Sequence, residues 1–318
     1  MNNNFQNAIT DIPGIKVGHA QDDVALTGCT VILVEHGAVG GVDQRGGAPG
    51  TRETDLLSPM HLVTEIHAIL LAGGSAFGLD AAAGVMRYLE EHNIGIDTGD
   101  ARVPIVPAAV IYDLGLGNPK IRPDAQMGNQ ACLNASSDRP AEGCFGAGTG
   151  AAAGKLLGIQ HATKTGIGTA SIHFGDGVMV GALVVVNPYG DVVDPNSGEI
   201  IAGTGNPDEN SSHKFIDSLE FMKSSMNKNS FNVTGSNTII GVVATNAKLT
   251  KEEVNKVAQM AQDGIARTIR PSHTMFDGDT IFALATGEKA ADVSVIGAVA
   301  ADVFAQAILN GVKMVKTT

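Results

Sequence analysis

Apolar residues in this chain come in short runs that glycine keeps interrupting. The stretch from Thr27 to Glu35 is almost continuously apolar through Cys29, Val31, Ile32, Leu33 and Val34, which predicts a buried strand. Ahead of it, Thr10 to His19 reads as a turn and short strand around Pro13-Gly14. Gly40 to Gly47 reads as a glycine-rich loop. His67 to Ala72 predicts another strand, which runs through Gly73-Gly74-Ser75-Ala76-Phe77-Gly78 into a helix from Leu79 to His92. Ile105 to Tyr112 predicts a third strand, and Gly143 to Gly158 a glycine-rich turn entering an Ala-rich helix. Thr169–Phe174 and Val178–Asn187 predict a hairpin closed by Gly175-Asp176-Gly177.

Residues 203 to 236 differ in kind. Gly203-Thr204-Gly205-Asn206-Pro207 opens the stretch and a Ser/Asn-rich segment closes it, which is linker chemistry without periodicity. A β-branched strand follows from Thr238. Thr250-Lys251-Glu252-Glu253 is a capping box, and Val254, Val257, Ala258, Ala261 and Ile265 then repeat at helical spacing. Thr280–Ala285 predicts a further strand and Val293–Leu309 a final helix. Strands occur both as neighbours and separated by helices, so a mixed α/β architecture with covering helices is expected, as one domain over 1–318.

Composition narrows the function classes. The 318 residues are 43% hydrophobic but only 4% aromatic, with 40 glycines, so the core is built from small aliphatic side chains at close backbone approach. A net charge of -12 argues against a nucleic-acid partner, whose phosphates need a basic surface. Cys29, Cys132 and Cys144 form no CxxC pair and read as reduced thiols of a cytoplasmic protein. Met1-Asn2-Asn3-Asn4-Phe5-Gln6 has neither a basic nor an apolar signal region, and no uninterrupted apolar run approaches the roughly 20 residues of a membrane span.

The candidate chemistry lies in two places. Asn237-Thr238 heads the strand Ile239-Ile240-Gly241-Val242-Val243-Ala244-Thr245. Read by itself it is a turn leading into a strand. Read as a cut site, it exposes Thr238 as a new N-terminus whose amine serves as base for its own hydroxyl. Asp277 and Asp279, in His273-Thr274-Met275-Phe276-Asp277-Gly278-Asp279-Thr280, supply two carboxylates two residues apart on an extended segment. Held close, such a pair splits its protonation states, which suits a nucleophile that loses and regains a proton. Alone, Asp-Gly-Asp is a turn before a strand. Other motifs fail on spacing. Gly146-Ala147-Gly148-Thr149-Gly150-Ala151-Ala152-Ala153-Gly154-Lys155 has Thr149 where a phosphate loop has glycine, and Leu156 follows the lysine. Its backbone N–H groups still suit an oxyanion, and Lys155 is an unusual residue for so apolar a stretch. Gly73-Gly74-Ser75-Ala76-Phe77 misses the nucleophile elbow at its last position. His61, Glu65 and His67 read as a solvated helix face rather than a metal site.

Several separated motifs in order resemble one family over nearly the whole chain. They are Ile12-Pro13-Gly14-Ile15-Lys16-Val17-Gly18-His19, Leu71-Ala72-Gly73-Gly74-Ser75-Ala76-Phe77-Gly78-Leu79-Asp80, Gly146 to Ala151, Asn237 to Ala247, and Phe276 to Thr280. Together they resemble the P1 family of self-processing peptidases, relatives of the L-aminopeptidase/D-esterase, the β-peptidyl aminopeptidases and the nylon-oligomer hydrolases. The resemblance implies a four-layer αββα sandwich of two mixed sheets flanked by helices. It implies self-cleavage into 1–237 and 238–318, with Thr238 as nucleophile. It implies Tyr112 and Lys155 near the scissile carbonyl, Asn187 as oxyanion donor, and Asp277 and Asp279 beside the nucleophile. It also implies a homo-oligomer, a tetramer. The aminopeptidase members resemble a Ser-x-Glu pair where this chain has Asp277-Gly278-Asp279, whereas the nylon-oligomer branch resembles Asp-x-Asp with Asn-Thr at the cut.

The leading expectation is therefore an N-terminal-threonine amidohydrolase acting on small peptides or amides. Its partners are its substrate and its own cleaved fragment, with no metal, cofactor, nucleic acid or membrane. An acyltransferase of the same fold differs only in the acceptor. An uncleaved binding protein differs by showing one band on a denaturing gel.

Overall fold

The computed structural model describes residues 5–208, 210–224 and 237–315. Its main strands are β1 (Lys16–Asp22), β2 (Thr27–Gln44), β3 (Glu65–Ala72), β4 (Ala108–Val110), β5 (Ile167–Phe174), β6 (Val178–Asn187), β7 (Thr238–Ala247) and β8 (Thr280–Lys289). The covering helices are α1 (Ala81–Glu91), α2 (Ala125–Leu133), α3 (Lys251–Thr268) and α4 (Val293–Lys313). The sheet order is β5-β6-β7-β8-β2-β3-β4, then the short strand Thr51–Arg52, with β1 also on β2. The pairs β7/β8 and β3/β4 are parallel and the others antiparallel, so the sheet is mixed.

β2 turns this one ladder into two layers. Its N-terminal half pairs with β1 and β3, Ala38 and Val39 pair with β3 again beyond the slip, and residues 39–44 pair with β8. Between Leu33 and Ala38 the register slips, around Gly37 at φ 78°, and the strand bends there. Three apolar clusters mark the layers. Ile32, Ile69 and Leu71 from one sheet meet Leu183, Val185, Ile240, Val242 and Phe282 from the other. Ile239, Val243 and Ile281 point the opposite way, onto Val257, Ile265 and Phe304 of α3 and α4. Val31, Leu33 and Leu70 pack under Val85 and Leu89 of α1 and Ala131 of α2. The layers run helix, sheet, sheet, helix, as expected, with the two inner layers continuous through β2 as one mixed sheet.

Several local expectations need correction. Gly143–Gly158 forms no α-helix: it holds a 3-10 turn at Gly146–Gly148 and a short strand at Ala152–Ala153. Gly146, Gly154 and Gly158 sit at φ 51°, 72° and 93°, and a Cβ at Gly154 would lie 2.0 Å from Gly203 C. Close approach, not helix propensity, decides this segment. Residues 40–44 belong to β2 and are not loop. The strand expected over 105–112 is paired only at Ala108–Val110. His67 and Glu65 lie on β3 and not on a helix, and buried His67 accepts the Ile105 N–H through Nδ1 at 3.2 Å. Within 203–236, the described residues form short strands at Thr204–Gly205 and Phe215–Ile216 and a helix at Ser218–Ser224, while 225–236 lies outside the described residues. α4 is long and apolar enough to cross a bilayer, and 61% of its apolar window is buried inside the fold.

Candidate active site

The site forms where strand ends meet at one end of the sandwich. Asn187 closes β6 and stands directly opposite Thr238, the first residue of β7. Both strands send alternate residues into the inter-sheet core, Val185 from β6 and Ile240 from β7, so Asn187 and Thr238 share that face. Because β7 and β8 are parallel, the residues preceding them also pair, and Asn237 bridges Asp277. The Gly278 N–H donates to the Asn237 carbonyl at 3.0 Å. The Thr238 hydroxyl donates to the same carbonyl oxygen. Thr238 is 4% exposed and Asn237 1%.

Two buried carboxylates flank this peptide bond. Asp279 accepts the Ile239 N–H at 2.8 Å on one oxygen, and the His273 N–H at 3.1 Å on the other, with His273 Nδ1 at 2.8 Å from that second oxygen. Asp277 accepts from the Tyr189 N–H at 3.0 Å, the Thr274 N–H at 3.1 Å and the Thr274 hydroxyl at 2.5 Å. Burial, with the neighbouring Asp279 second, pushes the Asp277 carboxyl up to about 6, while the Thr274 and Tyr189 bonds oppose the shift. The segment is clamped from above. Arg45 N–H donates to Asp279 O at 3.0 Å, Gly47 N–H to Thr274 O at 3.0 Å and Ala48 N–H to Asp277 O at 2.8 Å.

On the other side stands Lys155. Its ammonium donates to the Asn187 side-chain oxygen at 2.7 Å and to the Asn187 backbone carbonyl at 3.1 Å. Ala152 N–H donates to the same side-chain oxygen at 3.0 Å, and the Asn187 amide nitrogen lies 3.4 Å from Tyr112 O. Burial lowers the Lys155 ammonium to about 7, against the opposing pull of Asp277 and Asp113. The fold thus brings Thr238, Asn237, Asn187, Lys155, Asp277 and Asp279 together. Tyr112 reaches the group through its backbone carbonyl, and Lys155 sits in a glycine-shaped coil, not at the foot of a helix.

The profile of Peptidase family S58 matches residues 7–318. The chain belongs to that family. Among S58 relatives, an uncharacterised aminopeptidase of Mycobacterium tuberculosis is 46% identical over 96% of this chain and 93% of its own length. A 6-aminohexanoate-oligomer endohydrolase of Kocuria sp. is 33% identical over 95% of this chain and 85% of its own. The solved L-aminopeptidase D-Ala-esterase/amidase of Ochrobactrum anthropi, an Ntn-hydrolase variant, superimposes with a TM-score of 0.71 at 19% identity, over 98% of this chain and 87% of that one, which speaks for the fold. This S58 chain is a hydrolase of peptide or amide bonds.

Sequence reasoning passed over several polar residues that border the S58 site. His273 and Thr274 stand in the quoted Asp277 motif, but their grip on the two carboxylates depends on the loop's fold. Buried Asp113, which accepts from the Thr27 hydroxyl and the Gly74 N–H at 2.7 Å each, lies next to Tyr112 in sequence and carried no local signal.

Proposed function

We propose that the chain is a self-processing amidohydrolase whose nucleophile is Thr238. One observation carries this reading: the Thr238 hydroxyl lies on the carbonyl of its own upstream peptide bond, between two buried carboxylates. Attack of Thr238 Oγ on the Asn237 carbonyl carbon converts the amide into an ester, and water then releases fragments 1–237 and 238–318. In the cut enzyme the new Thr238 amine, with an ordinary pKa of about 7.7–8.0, takes the Oγ proton. The substrate acyl group passes to Oγ, the amine product leaves, and water frees the acid. The Asn187 amide and the Lys155 ammonium form the wall facing the developing oxyanion, with the Tyr112 carbonyl orienting the Asn187 amide. Asp277 and Asp279 hold and return protons beside the nucleophile.

The substrates are short oligomers of ω-amino acids, the class that the Asp-x-Asp pair and the Asn-Thr junction favour, or small peptides with a free amine. The relative named for 6-aminohexanoate oligomers supports the first class and the aminopeptidase names the second. Mass spectrometry of purified protein tests the reading. Wild-type chain should give two fragments meeting at Asn237-Thr238, and Thr238→Ala a single chain of full length without amidase activity. Cutting of the Thr238→Ala chain at the same bond would overturn it.

A further inference from the structure

We propose that the backbone N–H of Gly278 is the oxyanion donor of the self-cleavage step. The inference rests on the self-processing reading above and deepens it. Tetrahedral addition at Asn237 places negative charge on the Asn237 oxygen. That oxygen already accepts the Gly278 N–H at 3.0 Å. A donor aimed at the atom where charge develops stabilises the transition state without reorganising.

Three features hold this donor in place. The parallel bridge between Asn237 and Asp277 sets the register. The 274–279 segment is pinned by the Arg45, Gly47 and Ala48 N–H groups, and the Asp277 carboxylate ties it to Tyr189 and Thr274. Residue 278 must also be glycine. A Cβ there would lie 2.6 Å from Ala48 O, 2.9 Å from Thr238 Oγ and 3.1 Å from Pro49 Cα. A side chain would push the N–H off the carbonyl or the hydroxyl off its target. The Asn187 carboxamide, by contrast, is engaged with Lys155, Ala152 and Tyr112, on the wall assigned to turnover.

The Oγ–C bond forms as the carbonyl π pair moves onto the oxygen facing Gly278. The pair returns as the C–N bond breaks, and the Oγ proton ends on the departing Thr238 nitrogen. One water then hydrolyses the ester, leaving an Asn237 carboxyl group and the Thr238 hydroxyl.

A backbone ester tests the assignment, because it deletes one N–H and no side chain. Glycolic acid is placed at 278 by cell-free translation with an acylated suppressor tRNA, beside an all-amide control made the same way. The control should cut into 1–237 and 238–318, and the ester chain should cut about 10²–10³ times more slowly. Equal rates would overturn the assignment and leave self-processing standing. A control that stays whole would overturn the self-processing reading, and this assignment with it. A second measurement does not need cleavage. In the Thr238→Ala chain carrying a ¹³C-labelled Asn237 carbonyl, the amide I band should move to higher frequency when the 278 amide becomes an ester. An unmoved band would overturn the bond itself.

Discussion

Two buried carboxylate centres in this molecule share their electrostatics and differ in their surroundings. Asp191 is fully buried and burial pushes it up to about 6, and Asp277 is buried and pushed up to about 6 for the same leading reason. Asp191 accepts from the Ser218 N–H at 2.7 Å, the Ser218 hydroxyl at 2.8 Å and the Thr204 N–H at 3.4 Å. Those bonds staple the 203–218 segment to the core and end there. Asp277 has a second carboxylate, Asp279, as neighbour, and its backbone pairs with Asn237 next to the Thr238 hydroxyl. A perturbed acid marks a site only where it converges with a nucleophile and a carbonyl.

The largest expected contrast is in rate. Asp277→Asn and Asp279→Asn should each slow formation of the 238–318 fragment, or turnover of enzyme already cut, by about 10²–10⁴. Asp191→Asn should leave both rates within a few-fold and lower stability instead, by about 1–3 kcal/mol in urea unfolding, as its donors lose an acceptor. Gel densitometry over time and denaturant midpoints separate the two outcomes. A slow Asp191→Asn chain with normal stability would break the contrast.

A smaller effect is expected one residue further out. His273 holds one oxygen of Asp279 through both its backbone N–H and its ring, and it does so from a left-handed backbone at φ 55°. Losing a hydrogen bond to a charged group costs about 1.5–3 kcal/mol, so His273→Ala should lower kcat about 10–100-fold with little change in KM. Asn tolerates the left-handed backbone and offers a side-chain N–H, so His273→Asn should recover most of the rate. Equal loss in both variants would assign His273 to the fold and not to Asp279.

Legibility followed the range of the interactions. The β5–β6 hairpin closes with Phe174 opposite Val178, as the glycine turn predicts, because strand alternation and turn chemistry are local. The capping box does start α3, with the Thr250 hydroxyl accepting from the Glu253 N–H at 3.3 Å. The 143–158 segment misleads because its alanines favour a helix, while its glycines answer to close approaches from far along the chain, Gly154 to Gly203–Thr204 and Gly148 to Ile167 among them. The site divides the same way. Thr238 and the Asp277/Asp279 pair were visible as residues at strand heads. The Gly278 donor was not, because it exists only through the register of Asn237 against Asp277. Lys155 stood out as a cation in an apolar stretch, but its hold on Asn187 needed the fold.

The last contrast is in the pH dependence of stability, where the two centres should behave alike until Asp279 is changed. Both carboxyls are raised from the ordinary 3.8 to about 6, so between those values the folded chain keeps protons that the unfolded chain has released. The stability they contribute is complete below about pH 4 and is lost as pH rises through about 6. In the Thr238→Ala chain, which should stay whole on the self-processing reading, unfolding midpoints should fall across that window. Asp191→Asn and Asp277→Asn should each flatten the fall, since Asn does not titrate. Asp279→Asn should separate them. It removes the second cause of the Asp277 shift, so the Asp277 window narrows from its upper end, whereas Asp191, whose shift comes from burial and Asp217, keeps its own. If Asp279→Asn left the Asp277 share of the slope unchanged, burial alone would account for that carboxyl, and the two centres would differ in neighbours but not in coupling.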